Sequence, residues 1–416
     1  MRVFKFGGAS VKDAAGVKNL TEIVRQQVNK DILIVVSAMG KTTNALELVI
    51  SDYLNNSADL KRDLEVVRTY HQTIISELFE DKTHSVYTQF ERDYKALLEF
   101  LEINTSGDYD FVYDQIIGFG ELFSTRIVSA FLEASGLDNT WLDVRQYIKT
   151  NASYRRAAVD WQVTKRLVTP LSVNGHILVT QGFLGSNANG FTTTLGREGS
   201  DYSAAILAGC LQAESVTIWK DVPGVLNADP RYFEGAQLLN ALSYNEAIEL
   251  AFYGASVIHP KTLQPLQNNT IPLYVKSFLN PEQEGTKIAA DLKMEPEVPC
   301  FILKQNQILI SLSTLDFSYI VEENISDIFK ILHLFKMKVD LIQNSAISFS
   351  VCIDDMYNNI EDVIQHLSVK FKVEYIKNVT LFTVRHYTAD AISSVEQGKS
   401  ILLKQRNQHT LQIVTK

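Results

Sequence analysis

Short apolar runs alternate with amphipathic stretches over the larger, N-terminal part of the chain. The runs occupy residues 3–6, 32–36, 177–180, 216–219 and 271–275. Apolar runs of this length, separated by helical periodicity, are typical of parallel strands that are buried on both faces. Residues from about 42 to 136 are charged and helical in character. The pattern therefore predicts an α/β fold in which helices sandwich a mainly parallel sheet.

The periodicity changes after residues 295–299, where prolines and acids are concentrated as in a linker. Segments of alternating strand and helix periodicity follow at 308–312, 325–335, 347–353, 360–367 and 371–384. These segments account for five of the six elements of the order β-α-β-β-α-β, and we therefore expect a ferredoxin-like α+β unit. The last residues predict one more helix, over about 389–405, and a final strand over 411–414.

Composition and charge disfavour several classes of function. The chain has 416 residues and a formal net charge of −9, which disfavours the basic surface that nucleic-acid binding requires. Cys210, Cys300 and Cys352 have neither metal-ligand nor CxxC spacing, so we expect reduced thiols. No apolar run reaches the length of a membrane span, and the N-terminus lacks a signal-peptide pattern. We therefore expect a soluble, cytoplasmic protein.

Two polar loops follow the first and second predicted strands. Residues 5–10 (KFGGAS) combine a lysine with glycines that let backbone N–H groups approach phosphate, and residues 37–44 follow the next strand. Parallel topology places both loops at the same edge of the sheet. The alternatives are a plain glycine turn for the first loop and a helix start capped by Thr43 or Asn44 for the second. Neither loop has Walker A or dinucleotide-binding spacing.

Hydroxyl, amide, guanidinium and carboxylate groups are concentrated in residues 192–204, at the start of an amphipathic run. Arg197 has the fork geometry to bind a carboxylate through two hydrogen bonds. Asp201 is either a functional carboxylate or a first-turn acid favoured by the helix dipole. This segment is the strongest chemical signal in the chain.

Residues 216–231 form a predicted strand, a proline-glycine turn and an Asn-Ala-Asp-Pro-Arg segment. Such a loop can surround the base and ribose of a nucleotide, and a plain turn cluster explains the composition equally well. His259 lies between two helical stretches without a carboxylate or nucleophile nearby in sequence, so we interpret it as structural.

Taken together, these segments resemble the aspartate kinases of the amino-acid kinase family. The shared motifs are KFGG at 5–8, the serine-containing strand end at 37, Gly120-Glu121 with Ser124-Thr125, TLGR with GSDYSA at 194–204, DVPG with DPR at 221–231, and GA-V-HP at 254–260. The resemblance runs in order from residue 2 to about 290. The C-terminal part resembles the ACT regulatory domains of the same enzymes.

The resemblance implies an amino-acid kinase catalytic domain at 1–295 and an ACT regulatory region at 300–416. The regulatory region would contain one full unit at about 305–384 and a partial second unit at about 373–416. Four positions depart from the family pattern. They are Glu198 (usually glycine), Lys220 (commonly threonine), Leu226 (often tyrosine) and Ser256 (frequently lysine).

The resemblance also implies a role for each motif residue. Lys5 and Asp201 would be catalytic, with Lys5 neutralising charge on the transferred phosphoryl group. The residues implied to bind ATP are Lys5, Phe6, Gly7, Gly8, Ser10, Lys220, Asp221, Leu226, Arg231, Ser256 and Val257. Those implied to bind aspartate are Ser37, Thr43, Glu121, Arg197, Gly199 and Ser200. Glu121 would bind the ammonium group and Arg197 the α-carboxylate. No residue is implied as a metal ligand, because Mg²⁺ would be held mainly through the phosphates.

The implied activity is ATP-dependent phosphorylation of the side-chain carboxylate of L-aspartate to 4-phospho-L-aspartate, the first step toward lysine, threonine and methionine. The resemblance further implies feedback by lysine or threonine at the ACT region, and a homodimer or a dimer of dimers. Two alternatives stay open. One is a kinase of the same fold that acts on glutamate or acetylglutamate, and the other is a non-catalytic amino-acid sensor.

Overall fold

The structure is a computed structural model that describes residues 1–27, 31–171, 176–255, 258–316 and 318–416. Its strands are β1 (Arg2–Phe6), β2 (Ile32–Val36), β3 (Asn139–Leu142), β4 (Ile177–Gln181), β5 (Leu184–Ser186), β6 (Thr192–Thr194), β7 (Ser215–Lys220), β8 (Ala241–Ser243), β9 (Leu273–Ser277), β10 (Thr286–Ala289), β11 (Cys300–Thr314), β12 (Lys338–Asn344), β13 (Phe349–Asp354), β14 (Phe371–Arg385), β15 (Ile401–Arg406) and β16 (Thr410–Thr415).

Its α-helices are α1 (Ala14–Arg25), α2 (Thr42–Leu54), α3 (Leu60–Leu78), α4 (Ser85–Ile103), α5 (Tyr109–Ile117), α6 (Phe119–Ala134), α7 (Trp161–Val168), α8 (Gly199–Leu211), α9 (Tyr244–Tyr253), α10 (Pro260–Asn268), α11 (Glu322–Leu334), α12 (Ile360–Leu367) and α13 (Ala389–Glu396). Within the described ranges, none of these helices is long and apolar enough to cross a bilayer.

The described chain forms two compact units. The first contains Met1–Val225, Leu238–Ile248 and the segment from α10 to Pro296. The second contains Leu226–Gln237, the end of α9 from Glu249, and Glu297–Lys416.

The first unit is built on an eight-stranded sheet with the order β3-β4-β2-β1-β7-β9-β10-β8. Its neighbouring strands are parallel except for the antiparallel pair β9 and β10. The five apolar runs of the sequence correspond to β1, β2, β4, β7 and β9, with β9 beginning two residues later than predicted. The prediction of a mainly parallel sheet is confirmed.

The long charged stretch predicted to be helical forms α2 to α6. These helices are amphipathic, and their buried faces contribute to one core with α1 and with one face of the central strands. Leu46 and Ile50 illustrate the pattern, since they lie one turn apart on α2 and are completely buried. Burying such a side chain stabilises the fold by about 1.5–3 kcal/mol.

The second unit contains a six-stranded antiparallel sheet with the order β12-β13-β11-β14-β16-β15. Along the chain, β11-α11-β12-β13-α12-β14 follows the predicted β-α-β-β-α-β order, and α11 and α12 share a core with this sheet. β11 and β14 are 15 residues long and run through the middle of the sheet.

The helix predicted over 389–405 is wrong in its second half. α13 ends at Glu396, and Gly398 follows with a positive φ of +70°. Glycine at such a position terminates helices because it adopts left-handed conformations without strain. Ile401–Arg406 then pairs with β16 as an edge strand, in which Leu403 is buried and Lys404 is exposed.

Candidate active site

The carboxyl ends of β1, β2, β4 and β7 meet at one edge of the first sheet because these strands are parallel neighbours. Side chains alternate between the two faces of a strand. Phe4, Phe6 and Trp219 belong to the core formed with α1 to α6, so Lys5 and Lys220 project from the opposite face. Helix α8 packs against β1 and β7. The two lysines therefore approach the beginning of α8.

Asp201, in the first turn of α8, forms an ion pair with each of these lysines. Its Oδ1 lies 2.7 Å from Lys5 Nζ, and its Oδ2 lies 3.7 Å from Lys220 Nζ. The Asp201 side chain is only 4% exposed. Burial raises the pKa of Asp201, but the charges of both lysines outweigh burial and hold the pKa below its usual value. Asp201 therefore stays ionised and holds two ammonium groups close to each other.

The glycine turn after β1 packs directly against the loop after β2. Gly40 N–H donates to Gly8 O at 3.0 Å. A Cβ atom on Gly8 would lie 2.7 Å from Ala38 O, so any other side chain is excluded there. Ser10 Oγ donates to Gly7 O at 2.6 Å and shapes the turn. The two loops that were predicted to share a sheet edge are therefore in contact.

Glu121 lies in the first turn of α6 and is buried beside the same loop. A Cβ atom on Gly120 would lie 3.0 Å from Ala38 Cβ, so glycine allows α6 to approach this closely. Ala38 N–H donates to Glu121 Oε1 at 3.3 Å, while Oε2 has no hydrogen-bond partner among the described residues. Burial raises the pKa of Glu121 to about 8, against the opposing effects of Ala38 N–H and Lys5. An incoming ammonium group would satisfy the free oxygen and favour the ionised carboxylate.

Three residues that were predicted to bind aspartate have unengaged hydroxyls. Ser37 follows β2, Thr43 lies in the first turn of α2, and Ser200 lies in the first turn of α8. None of these hydroxyls makes a hydrogen bond within the part of the chain that the structure describes. Helix α2 begins at Thr42 without a side-chain cap, so the alternative in which Thr43 or Asn44 caps it is wrong.

The turn before α8 contains Arg197 and Glu198. Arg197 is exposed and, among the described residues, has no hydrogen-bond or ion-pair partner. Glu198 has φ +52° and ψ +30°, a left-handed conformation that glycine adopts without strain. This conformation is the physical reason why a glycine suits the position. Gly199 N–H already donates to Gly196 O at 2.9 Å, so this N–H group is not available to a substrate.

The remaining residues predicted to bind the nucleotide are divided between the two units, and two of them lie outside the described residues. They are Asp221, Leu226, Arg231, Ser256 and Val257. Asp221 is exposed in the first unit, directly after β7. Leu226 and Arg231 belong to the second unit, where Arg231 Nη2 lies 2.6 Å from Asp229 Oδ2. Ser256 and Val257 lie outside the described residues.

Sequence reasoning missed Asp114, which lies on α5 and is 0% exposed. Its carboxylate accepts hydrogen bonds from the N–H and hydroxyl of Thr194, both at 2.8 Å, and from Arg155 N–H at 3.0 Å. Burial raises the pKa of Asp114 to about 6. The available signal was an acid inside the apolar stretch Phe111–Ile117, because a carboxylate buried there needs internal donors.

Two residues of the motifs make hydrogen bonds that stabilise the fold. Thr125 Oγ1 accepts from Gln181 Nε2 at 2.8 Å and from Trp141 Nε1 at 3.0 Å, which joins α6 to β4 and β3. His259 Nδ1 accepts from Lys261 N–H at the start of α10, as expected of a structural histidine.

The candidate site combines a positively charged part with an unsatisfied acidic group. The two lysines, the glycine turn and the first turn of α8 present positive electrostatic potential at the sheet edge. Glu121 offers an unsatisfied carboxylate oxygen beside the neighbouring loop. Among the described residues, no group of three or more His, Cys, Asp or Glu side chains is arranged to hold a metal ion. The arrangement can therefore bind phosphate groups and orient an amino acid.

Comparison with known proteins finds relatives of most of the chain. Residues 1–277 match the sequence model of the amino acid kinase family. The lysine-sensitive aspartokinase 3 of Escherichia coli (strain K12) is 32% identical over 355 residues, which cover 85% of this chain and 78% of the relative. The aspartokinase of Chlamydia pneumoniae is 31% identical over 411 residues, which cover 97% of this chain and 89% of the relative.

The fold is also similar to that of a solved structure. The crystal structure of E. coli aspartokinase III in complex with aspartate and ADP (R-state) matches with a TM-score of 0.82 and 28% sequence identity. The match covers 100% of this chain and 96% of that chain. It confirms the predicted fold class, a mainly parallel α/β sheet followed by an α+β region.

Proposed function

Since the chain belongs to the amino acid kinase family and, within it, to the aspartokinases, we propose that it transfers the γ-phosphoryl group of ATP to the side-chain carboxylate of L-aspartate. The products are 4-phospho-L-aspartate and ADP. The observation that supports this proposal most strongly is the arrangement of Lys5 and Lys220 around the buried Asp201, which holds two ammonium groups beside the glycine turn. The names of the relatives and the related complex with aspartate and ADP support both substrates.

The amino-acid half of the site is proposed to recognise the α-ammonium and α-carboxylate groups of aspartate. Glu121 would bind the ammonium group through its free Oε2. Arg197 would bind the α-carboxylate through its guanidinium fork. The β-carboxylate is then left free to react. The free hydroxyls of Ser37, Thr43 and Ser200 would donate hydrogen bonds, whereas Gly199 would contribute by its lack of a side chain.

A direct in-line transfer is the proposed reaction. One oxygen of the β-carboxylate forms a bond to the γ-phosphorus while the bond between that phosphorus and the β–γ bridging oxygen breaks, and ADP leaves with that oxygen. Lys5 would neutralise charge on the transferred group, and Asp201 would hold Lys5 in position. Mg²⁺ would enter on the phosphates of ATP and neutralise part of their charge.

On the nucleotide side, the proposal assigns the phosphates to the glycine turn and to Lys220. The residues concerned are Lys5, Phe6, Gly7, Gly8, Ser10, Lys220 and Asp221. Ser10 would act mainly by shaping the turn, because its hydroxyl already donates to Gly7 O. For Leu226, Arg231, Ser256 and Val257 a nucleotide role stays a prediction from the family resemblance.

Feedback control by an amino acid is part of the proposal. The relative named as lysine-sensitive supports lysine as the effector, and threonine stays the alternative. A thermal-shift screen with lysine, threonine and methionine tests this, because a ligand that binds the native state raises the unfolding temperature. No shift with lysine or threonine would contradict feedback by either. A homodimer or dimer of dimers, a cytoplasmic location and a place at the start of lysine, threonine and methionine synthesis stay predictions.

An ADP-release assay with ATP, Mg²⁺ and one acceptor at a time tests the activity. L-Aspartate is expected to stimulate ADP release, and hydroxylamine is expected to trap the acyl phosphate as a hydroxamate, which separates transfer from ATP hydrolysis. Turnover with L-glutamate or N-acetyl-L-glutamate, and none with L-aspartate, would contradict the proposal and indicate another carboxylate kinase. No turnover with any acceptor would favour the non-catalytic sensor.

A further inference from the structure

Helix α5 holds the strand that leads to Arg197 through two adjacent side chains. Gln115 Oε1 accepts from Thr192 N–H at 3.0 Å, and Gln115 Nε2 donates to Thr192 O at 2.9 Å. Asp114 accepts from both the N–H and the hydroxyl of Thr194 at 2.8 Å. The strand β6 is therefore bound at both of its ends, just before the turn that contains Arg197.

Asp114 also binds the segment against which that turn packs. Its Oδ2 accepts from Arg155 N–H at 3.0 Å as well as from Thr194 N–H. Ala157 N–H in turn donates to Thr194 O at 2.9 Å. A Cβ atom on Gly196 would lie 3.2 Å from Arg155 O, so the turn runs directly along this segment. One carboxylate thus sets the spacing of the two chains at the base of the turn.

The side chain at position 114 must accept hydrogen bonds. Three donors converge on a side chain that is completely buried, and two of them are backbone N–H groups that no substitution at position 114 removes. An ionised carboxylate accepts hydrogen bonds and donates none, so all three donors are satisfied. Alanine would leave both N–H groups buried without an acceptor. Asparagine could keep both bonds, with its oxygen at the Oδ2 position and its NH₂ group donating to the Thr194 hydroxyl oxygen.

We propose that Asp114 is a positioning residue for the amino-acid half of the site, and that it acts through Thr194 and Arg155 to hold the turn that presents Arg197. Arg197 has no internal partner among the described residues, so its placement depends on its backbone. The effect on aspartate rests on the proposed function, whereas the anchoring of the turn does not. Displacing a positioning group by about 1 Å can cost on the order of 100-fold in rate.

Two substitutions on the same helix provide a matched comparison. Asp110 lies one turn before Asp114, is exposed, and pairs with the Arg155 side chain at 3.2 Å. Asp114→Ala is expected to raise the KM for aspartate about tenfold and to leave the KM for ATP within about twofold. Asp110→Ala is expected to change neither constant. Hydrogen exchange of the amides at 192–199 in the ligand-free protein should accelerate in Asp114→Ala and not in Asp110→Ala.

Variants of Thr194 separate positioning from general stability. Thr194→Val removes one of the three hydrogen bonds and is expected to raise the KM for aspartate less than Asp114→Ala, whereas Thr194→Ser retains the hydroxyl and the wild-type KM. If Asp114→Ala does not fold, Thr194→Val against Thr194→Ser makes the same comparison.

Each result decides the proposal. An unchanged KM for aspartate, or an equal rise in the KM of both substrates, would overturn the positioning role. If the wild-type protein has no aspartate-dependent turnover, the proposed function fails. The hydrogen-exchange rates then test only whether Asp114 anchors the turn. Unchanged exchange at 192–199 would then overturn the anchoring as well.

Discussion

Lys5 Nζ lies 2.7 Å from Asp201 Oδ1, and both side chains are nearly excluded from water. The second oxygen of Asp201 lies 3.7 Å from Lys220 Nζ. Removing one partner of such a buried pair leaves an uncompensated charge, which is more costly than the loss of an exposed ion pair. The pair therefore connects the stability of the first unit to its proposed chemistry.

Lys5→Met is expected to abolish phosphoryl transfer and to lower the free energy of unfolding by about 3 kcal/mol, because Asp201 keeps only the more distant Lys220. Chemical denaturation and the kcat for ADP release measure the two effects. The control is Lys95→Met, since Lys95 forms an exposed pair with Glu99 on α4, and a change below about 0.5 kcal/mol is expected there. Equal unfolding midpoints for the two variants would contradict the prediction.

Aspartate binding is expected to release a proton at neutral pH. The pKa of Glu121 is about 8 in the ligand-free protein, because burial disfavours its charge, so the carboxyl group is mostly protonated at pH 7. An ammonium group beside Oε2 favours the ionised form. Titration calorimetry at pH 7 in two buffers of different ionisation enthalpy should detect release of about 0.9 proton per aspartate.

Glu121→Gln is the control for that experiment and is expected to bind aspartate weakly without proton release. It also tests the pH dependence of stability. The folded-state pKa of about 8 lies above the ordinary value of 4.5, so between these values the native state binds more protons than the unfolded state. The free energy of unfolding should therefore fall as the pH rises toward 8, and Glu121→Gln should lose this contribution. Wild-type binding without proton release would show that Glu121 is already ionised.

Arg197→Ala is expected to raise the KM for aspartate by at least tenfold while the KM for ATP stays within about twofold, because the proposed role of the guanidinium fork is to bind the amino acid alone. Arg197→Lys is expected to recover part of the loss, since it restores the charge without the bidentate geometry. Arg231→Ala, at a residue predicted to bind the nucleotide, is expected to show the opposite selectivity. A large rise in the KM for ATP with unchanged aspartate use in Arg197→Ala would refute the assigned role.

Glu198→Gly is expected to be more stable than Glu198→Ala by about 1 kcal/mol. Both substitutions remove the carboxylate, whose Oε2 is buried without a partner among the described residues. They differ in backbone preference, because alanine is strained at φ +52° and glycine is not. Unfolding in denaturant measures the difference. Equal stability would indicate that the turn adopts another conformation in solution.

The sequence predicted the elements whose signals are local. The runs at β1, β2, β4 and β7 are continuous because both faces of the sheet are buried, and such runs are visible without any knowledge of their neighbours. The helix predicted over 389–405 is wrong beyond Glu396, because Gly398 terminates it with a positive φ. Pairing with β16 then decides that Ile401–Arg406 is a strand.

The sequence predicts that the loops after β1 and β2 share one edge of the sheet, and the bond between Gly40 N–H and Gly8 O shows that they are in contact. The role of Arg197 stays a prediction from its segment and from the family resemblance. Asp114 was not predicted, because it lies in an apolar helical stretch and its partners Arg155 and Thr194 are distant in sequence.

The amino-acid sequence by itself determined most of the order of elements, the mainly parallel class of the first sheet and the polar loops that follow its strands. These properties depend on alternation, apolar runs and glycine positions that are local. Only the tertiary structure decided that Asp201 pairs with both Lys5 and Lys220 and that one oxygen of Glu121 stays free. The physical reason is that charge pairing and burial depend on which faces of separate strands and helices meet, and that relationship is not encoded in any single segment.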